Sequence, residues 1–104
     1  ASGDFKLGLN ETAIGMTLPV FGHQLSQNRL SKRHLTAAVI QSQMFSPKEA
    51  IDAGFLDSVV EPTDIKSGCM EAAEKLMVLP TETYGQMKRD TRQAELASIE
   101  ASLV

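Results

Sequence analysis

The chain holds one cysteine, Cys69, which excludes an internal disulfide and fits a reducing compartment, with the cytoplasm as the expected location and an organelle matrix as the variant of it. It has no run of about 18 apolar residues, so no membrane span is expected. The polar, glycine-containing start, Ala1-Ser2-Gly3-Asp4, carries neither the charged nor the apolar segment of a secretion signal. Internal repeats and low-complexity tracts are lacking. So are both common glycine-rich phosphate loops and any serine or cysteine nucleophile arrangement around a histidine. His23 and His34 have no matching acid or cysteine at ligand spacing, so no metal site is expected and both read as surface or core histidines.

Basic charge is also scarce. Ten Lys and Arg face thirteen Asp and Glu, a net charge of -3, and the imbalance is uneven. Residues 1–45 are net basic through Lys6, Arg29, Lys32 and Arg33, whereas residues 46–104 are strongly acidic. A nucleic-acid partner is not expected, because non-specific affinity rests on neutralising many phosphates at once. The cluster Arg29, Lys32 and Arg33 reads either as a contact for a small phosphorylated ligand or as a solvated helix end.

What is present is enough for one domain: 104 residues, 42% of them apolar, can build a modest core. Phe5 to Leu9 alternates weakly around glycine and reads as a short strand, and Asn10 to Leu18 as a loop. From Pro19 to Gln43 the near-helical spacing predicts two helices meeting around Leu30 to Lys32, with Leu35, Ala38, Val39 and Ser42 on one face. The best punctuated stretch runs from Ser46 to Val60. Ser46 and Glu49 can form a reciprocal cap, Pro47 suits the first helical position, Gly54 can take a left-handed stop, and Ala50 and Ala53 permit close helix approach. Ser58 to Val60, with the β-branched Val59 and Val60, then reads as a buried strand.

Thr63 or Asp64 starts a longer helix whose Ile65, Cys69, Ala72, Ala73, Leu76 and Met77 follow the spacing of a core stripe. Cys69 lies on it and reads as a packed thiol rather than a nucleophile, having no basic partner one turn away. Pro80 interrupts, Thr81 can cap, and residues 82–103 read as one last helix. Its sparse apolar points, Tyr84, Met87, Leu96, Ile99 and Leu103, suggest docking onto another surface.

One acid stands apart. Glu11 lies among Leu7, Leu9, Ile14, Met16, Leu18 and Phe21, which could form a dry wall around it. A carboxylate desolvated in this way holds its proton to higher pH, toward the range useful in proton transfer. The plainer alternative is a solvent-facing glutamate beside a turn.

Two stretches carry a family likeness. Leu7-Gly8-Leu9-Asn10-Glu11-Thr12, followed by Ile14-Gly15-Met16 and Pro19, resembles the second active-site segment of the crotonase (enoyl-CoA hydratase/isomerase) superfamily. Ser46 to Val60 resembles that superfamily's capped helix with two small residues, ending in Gly54-Phe55-Leu56-Asp57 and running into Val59-Val60. The resemblance spans essentially the whole chain but only part of a crotonase, whose members are roughly twice as long. It implies an α/β crotonase (ββα spiral) fold of which this chain is the mostly α-helical C-terminal portion with two short strands. Residues 1–60 would be the end of the crotonase core with the active-site loop, and residues 61–104 a C-terminal helical segment of the trimerisation type. The missing N-terminal half of the same fold would supply the oxyanion hole and most of the coenzyme A site, so this portion alone is expected to be inactive.

The resemblance further implies chemistry. A 3-enoyl-CoA thioester would have its double bond shifted to the 2-position during fatty-acid oxidation, with Glu11 as acid and base. Ile14, Met16, Leu18 and Phe21 would line the acyl pocket or pack in the core. No cofactor beyond the coenzyme A of the substrate is implied, and the expected assembly is a homotrimer or a hexamer of two such trimers. Asn10-Glu11-Thr12 is most similar to the 3,2-enoyl-CoA isomerases, whereas hydratases more often have Pro-Glu there. After Gly15 the chain also lacks the Pro-Gly-x-Gly-Gly continuation common in hydratases. The rivals are an enoyl-CoA hydratase, a coenzyme A enzyme of other chemistry such as decarboxylation or thioester hydrolysis, and a non-catalytic, crotonase-derived oligomerisation module.

Overall fold

The structure, a computed structural model, describes residues 4–103; the start at Ala1 to Gly3 and the terminal Val104 lie outside them. Two short strands, β1 (Leu7–Gly8) and β2 (Met44–Phe45), pair antiparallel with Leu7 opposite Phe45 and Gly8 opposite Met44. Glycine is required at this pairing. A Cβ on Gly8 would lie 2.5 Å from the Met44 sulfur and 2.9 Å from the Gln43 carbonyl oxygen, closer than a side chain can be accommodated without movement.

Between the strands come α1 (Val20–Arg29) and α2 (Lys32–Leu35), the second continuing into a π-helical turn, Thr36–Ile40. The joint between them falls at Leu30 and Ser31, where the spacing predicts it. The wider π turn is closed by the Gln41 N–H donating to the Thr36 carbonyl at 3.1 Å. Of the face predicted to be shared, Ala38 is buried and Leu35 and Val39 pack against the core.

The helix α3 (Pro47–Ala53) is built as its residues dictate. The Glu49 N–H donates to Ser46 Oγ at 3.2 Å, and the Ser46 N–H donates to Glu49 Oε2 at 3.1 Å. Gly54 ends the helix in the left-handed region at φ 104°. A Cβ there would also come within 2.8 Å of the Arg29 carbonyl oxygen, so the α1–α2 joint docks directly on this glycine. The Ser31 N–H donates to the Ala53 carbonyl at 2.9 Å across the same contact. Around it lies the core: Leu30, Ala38, Phe45, Ala50 and Ala53, with Leu7, Leu35, Val39, Phe55 and Leu56 against it. Three of the five central residues are alanine, so close helix approach rather than side-chain bulk closes this core.

The remaining helices are α4 (Ile65–Met77), α5 (Thr81–Thr91) and α6 (Gln93–Ser102). Helix α6 folds back along α1, and Glu95 is its buried residue, 3.8 Å from the Arg92 guanidinium. The radius of gyration, 16.0 Å, exceeds the roughly 13 Å of a compact domain of this length, consistent with so small a core.

Four expectations are corrected. Ser58 to Val60 form no strand, and Val59 is exposed, because no described strand lies beside them to pair with. The second strand is Met44–Phe45 instead. The stripe on α4 is uncovered: Ile65, Cys69, Leu76 and Met77 are exposed, so the thiol is not packed. Residues 82–103 form two helices rather than one, broken at Arg92, and Pro80 rather than Thr81 occupies the N-cap of α5.

Replacing Ser46 by Ala removes one capping acceptor and is expected to destabilise the protein by about 1 kcal/mol. Gly54→Ala should be more damaging, since the left-handed backbone alone costs roughly 1–2 kcal/mol and the Arg29 carbonyl must also move. Urea denaturation of the two variants checks the order; equal midpoints would refute the close approach at Gly54.

Candidate active site

Glu11 follows β1 directly and heads a one-turn 3-10 helix, Thr12–Ile14. The turn is tight. The Glu11 carbonyl accepts from the Ile14 N–H at 3.1 Å and from the Met16 N–H at 2.8 Å, while the Gly15 N–H donates to the Thr12 carbonyl at 3.2 Å. Gly15 closes it at φ 75°, and a Cβ at that position would meet nothing within 4 Å, so glycine is wanted there for its backbone freedom alone.

The turn is tied to the segment that ends the π-helical turn. Thr12 Oγ1 donates to the Val39 carbonyl at 3.4 Å, and the Ala13 N–H donates to Ser42 Oγ at 3.0 Å. These two contacts, with the strand pairing that precedes Glu11, fix the chain on both sides of the acid.

The Glu11 side chain is partly buried, and its Oε2 is buried without a hydrogen-bond partner among the described residues. Buried polar atoms are nearly always partnered, and an orphaned carboxylate oxygen is the more expensive kind to leave so. Its side chain also makes no capping bond to the turn it heads. The expected acid is therefore neither fully solvated nor engaged with its own backbone.

The expected wall is only partly drawn in. Leu7, Leu9 and Leu18 are partly buried, and Leu18 lies against the helix at Gly22. Ile14, Met16 and Phe21 are more than half exposed, at 58%, 59% and 51%. They stand with Val20 as an apolar rim on and after the Glu11 loop.

The basic cluster is not gathered into an anion site. Arg29 pairs with Asp57 at 2.8 Å in an exposed ion pair, and Lys32 and Arg33 are exposed. His34 is held structurally, its Nδ1 2.6 Å from Ser31 Oγ and its ring edge-on to Phe45. No group of three potential metal ligands occurs among the described residues. A shallow groove lined by Thr81, Glu82, Gln86 and Arg89 runs along α5 and does not include Glu11. Sequence reasoning missed the place of Ser42 at this site: expected on the helical face with Leu35, Ala38 and Val39, it lies past the end of the π-helical turn with a left-handed backbone, and its hydroxyl meets the loop across 29 positions of chain.

Comparisons with known proteins bear on the family and the fold. The family model described as enoyl-CoA hydratase/isomerase matches residues 1–102. Human enoyl-CoA delta isomerase 1, mitochondrial, is 28% identical over 90 residues, which cover 86% of this chain and 30% of that protein. The crystal structure of an enoyl-CoA hydratase/isomerase family protein from Pseudomonas syringae superposes with a TM-score of 0.91 at 34% identity, covering 97% of this chain and 44% of that one. The human mitochondrial delta3-delta2-enoyl-CoA isomerase structure gives 0.83 at 26% identity, covering 91% of this chain and 37% of that one. The chain thus spans less than half the length of these relatives. Its architecture is the mostly helical C-terminal portion of the crotonase fold, and the chain belongs to the enoyl-CoA hydratase/isomerase family.

Proposed function

We propose that the intact protein is an enoyl-CoA isomerase, moving the double bond of a 3-enoyl-CoA to the 2-position, with Glu11 carrying the proton. The observation that carries this reading is the buried, unpartnered Oε2 of Glu11, with the chain fixed on both sides of it. Such an oxygen is available to a substrate hydrogen in a way that a capping or ion-paired carboxylate is not.

The step balances with one acid. The Glu11 carboxylate removes a proton from carbon 2, and the electron pair of that C–H bond delocalises through the 3,4 double bond and the carbonyl, placing negative charge on the thioester oxygen. The charge returns as the new 2,3 double bond when Glu11 delivers the proton to carbon 4. Charge on the thioester oxygen needs preorganised N–H donors, which the family resemblance assigns to the half of the fold outside these residues. Coenzyme A enters as part of the substrate. The human relative is named a delta isomerase, which supports the isomerase over a hydratase.

The rim of Ile14, Met16, Val20 and Phe21 supports the same choice. Hydration requires an activated water, and apolar side chains closing over Glu11 would exclude it. The uncovered stripe on α4, with Ile65, Leu76 and Met77, supports association with the rest of the fold and with further subunits, in a trimer or a pair of trimers. No described helix is long and apolar enough to cross a membrane. The exposed thiol of Cys69 fits the cytoplasm and an organelle matrix alike, while the human relative's name places that protein in the mitochondrion.

In the intact protein, Glu11→Gln should lower isomerisation of a 3-enoyl-CoA by roughly 1,000-fold or more while leaving acyl-CoA affinity within a few-fold, as removal of an essential proton carrier does. A stopped assay of 2-enoyl-CoA formation with binding calorimetry checks both; undiminished turnover in the variant refutes the assignment. With a 2-enoyl-CoA as substrate, formation of the 3-hydroxyacyl product should be far slower than isomerisation. Hydration as the faster reaction would replace the isomerase by a hydratase.

A further inference from the structure

Ser42 is the non-glycine residue with a left-handed backbone among the described residues, at φ 56°. The position closes the π-helical turn, with the Gln43 N–H reaching back to the Ala37 carbonyl at 2.9 Å. Glycine would satisfy that backbone with less strain. The serine hydroxyl therefore needs its own account.

That account lies across the chain. Ser42 Oγ accepts the Ala13 N–H at 3.0 Å. Ala13 is the second residue of the 3-10 turn headed by Glu11, and its N–H is one of the donors that a helix start leaves without an internal partner. Glu11 itself has a helical backbone, φ -58° and ψ -46°, rather than the extended one a capping residue takes, so its own side chain does not serve this donor. Glu11 makes no such bond, and its Oε2 is left unpartnered. Ser42 satisfies the Ala13 donor from across the chain.

We infer that Ser42 is a positioning residue for Glu11: by accepting the Ala13 N–H, it pins the turn that follows the acid and so fixes where the carboxylate stands toward the substrate. The inference rests on the proposed role of Glu11. The Thr12 hydroxyl on the Val39 carbonyl ties the same turn to the same segment, so loss of the Ser42 hydroxyl releases the donor without releasing the whole loop.

The test compares Ser42→Gly, Ser42→Asn, Glu11→Gln and the double variant Glu11→Gln/Ser42→Gly in the intact protein, by steady-state isomerisation of a 3-enoyl-CoA and by thermal melting. Glycine relieves the left-handed backbone, so Ser42→Gly should melt at the same temperature or higher. Its kcat should nevertheless fall roughly tenfold, with KM within about twofold, because a misplaced base loses rate rather than binding. Ser42→Asn keeps a side-chain acceptor and tolerates the left-handed region, and should recover part of the loss. In the Glu11→Gln background, Ser42→Gly should produce no further decrease, since both changes act through one carboxylate. A purely structural serine predicts the opposite for Ser42→Gly: unchanged kcat, or a kcat loss that accompanies a lower melting temperature. Either result overturns the inference, as does an additive double variant. If Glu11→Gln is inactive and Ser42→Gly is fully active, only the role of Ser42 fails; if Glu11→Gln turns over normally, the proposed function fails and this inference with it.

Discussion

Everything around the candidate site depends on the two-residue contact in which Gly8 lies flat against Met44. Leu7 opposite Phe45 turns the aromatic ring into the core, where it meets Phe55 at a centroid distance of 5.6 Å and the edge of His34 at 6.3 Å. The same pairing brings the residues just after β1 beside those just before β2. Glu11 and its turn are thereby placed against Val39 and Ser42, and the two tethers between these segments become possible. Any side chain at Gly8 would push β1 off Met44, and the acid would lose its placement before it lost its chemistry.

A second constraint sits on the far side of the same core. The left-handed stop at Gly54 receives the α1–α2 joint at backbone distance, and the alanines at 38, 50 and 53 let the helices close with little bulk between them. Such a core derives its stability from fit more than from buried area, which is modest. It holds α1, α2 and α3 together but leaves nothing over to cover α4, whose apolar stripe remains in solvent. The Glu11 rim is in the same condition. Both uncovered surfaces belong to a chain that spans less than half the length of the relatives it matches.

Sequence reading succeeded where the information was local. The reciprocal cap at Ser46 and Glu49, proline at the first helical position and the glycine stop are all settled by residues within one turn of each other, and each is found as expected. The α1–α2 joint is similar. It failed where a residue's state depends on what lies opposite. Val59 and Val60 have the composition of a strand, but β-branched residues only report a surface that suits pairing, and no described strand is there. Cys69 and its neighbours have the period of a buried stripe, and period says which residues share a face without saying that the face is covered. The pairing of Met44 and Phe45 was invisible for the complementary reason: two residues are too short to show alternation, and their partner lies nearly forty positions away. At the site itself, the motif around Glu11 was legible through family likeness, while Ser42 was not, because its role is a hydrogen bond between distant segments rather than a pattern.

The distinction between a capped and an uncapped carboxylate decides how one glutamate can serve in proton transfer. An acid with an extended backbone at the head of a helical turn is drawn to the exposed N–H donors beside it, which holds its charge in place, whereas Glu11 is itself helical there and makes no such bond. A base that must accept a proton from a substrate carbon and then release it at a second carbon cannot be so engaged. The turn after Glu11 meets both demands by dividing them: its own carbonyl closes the turn through Ile14 and Met16, a hydroxyl from across the chain takes the Ala13 donor, and the carboxylate oxygen is left buried and free. A solvent-facing glutamate beside a turn would need none of this, since water would satisfy both the donors and the acid. The buried, unpartnered oxygen of Glu11 thus sets it apart from a solvent-facing glutamate beside a turn, and on that difference the proposed role rests.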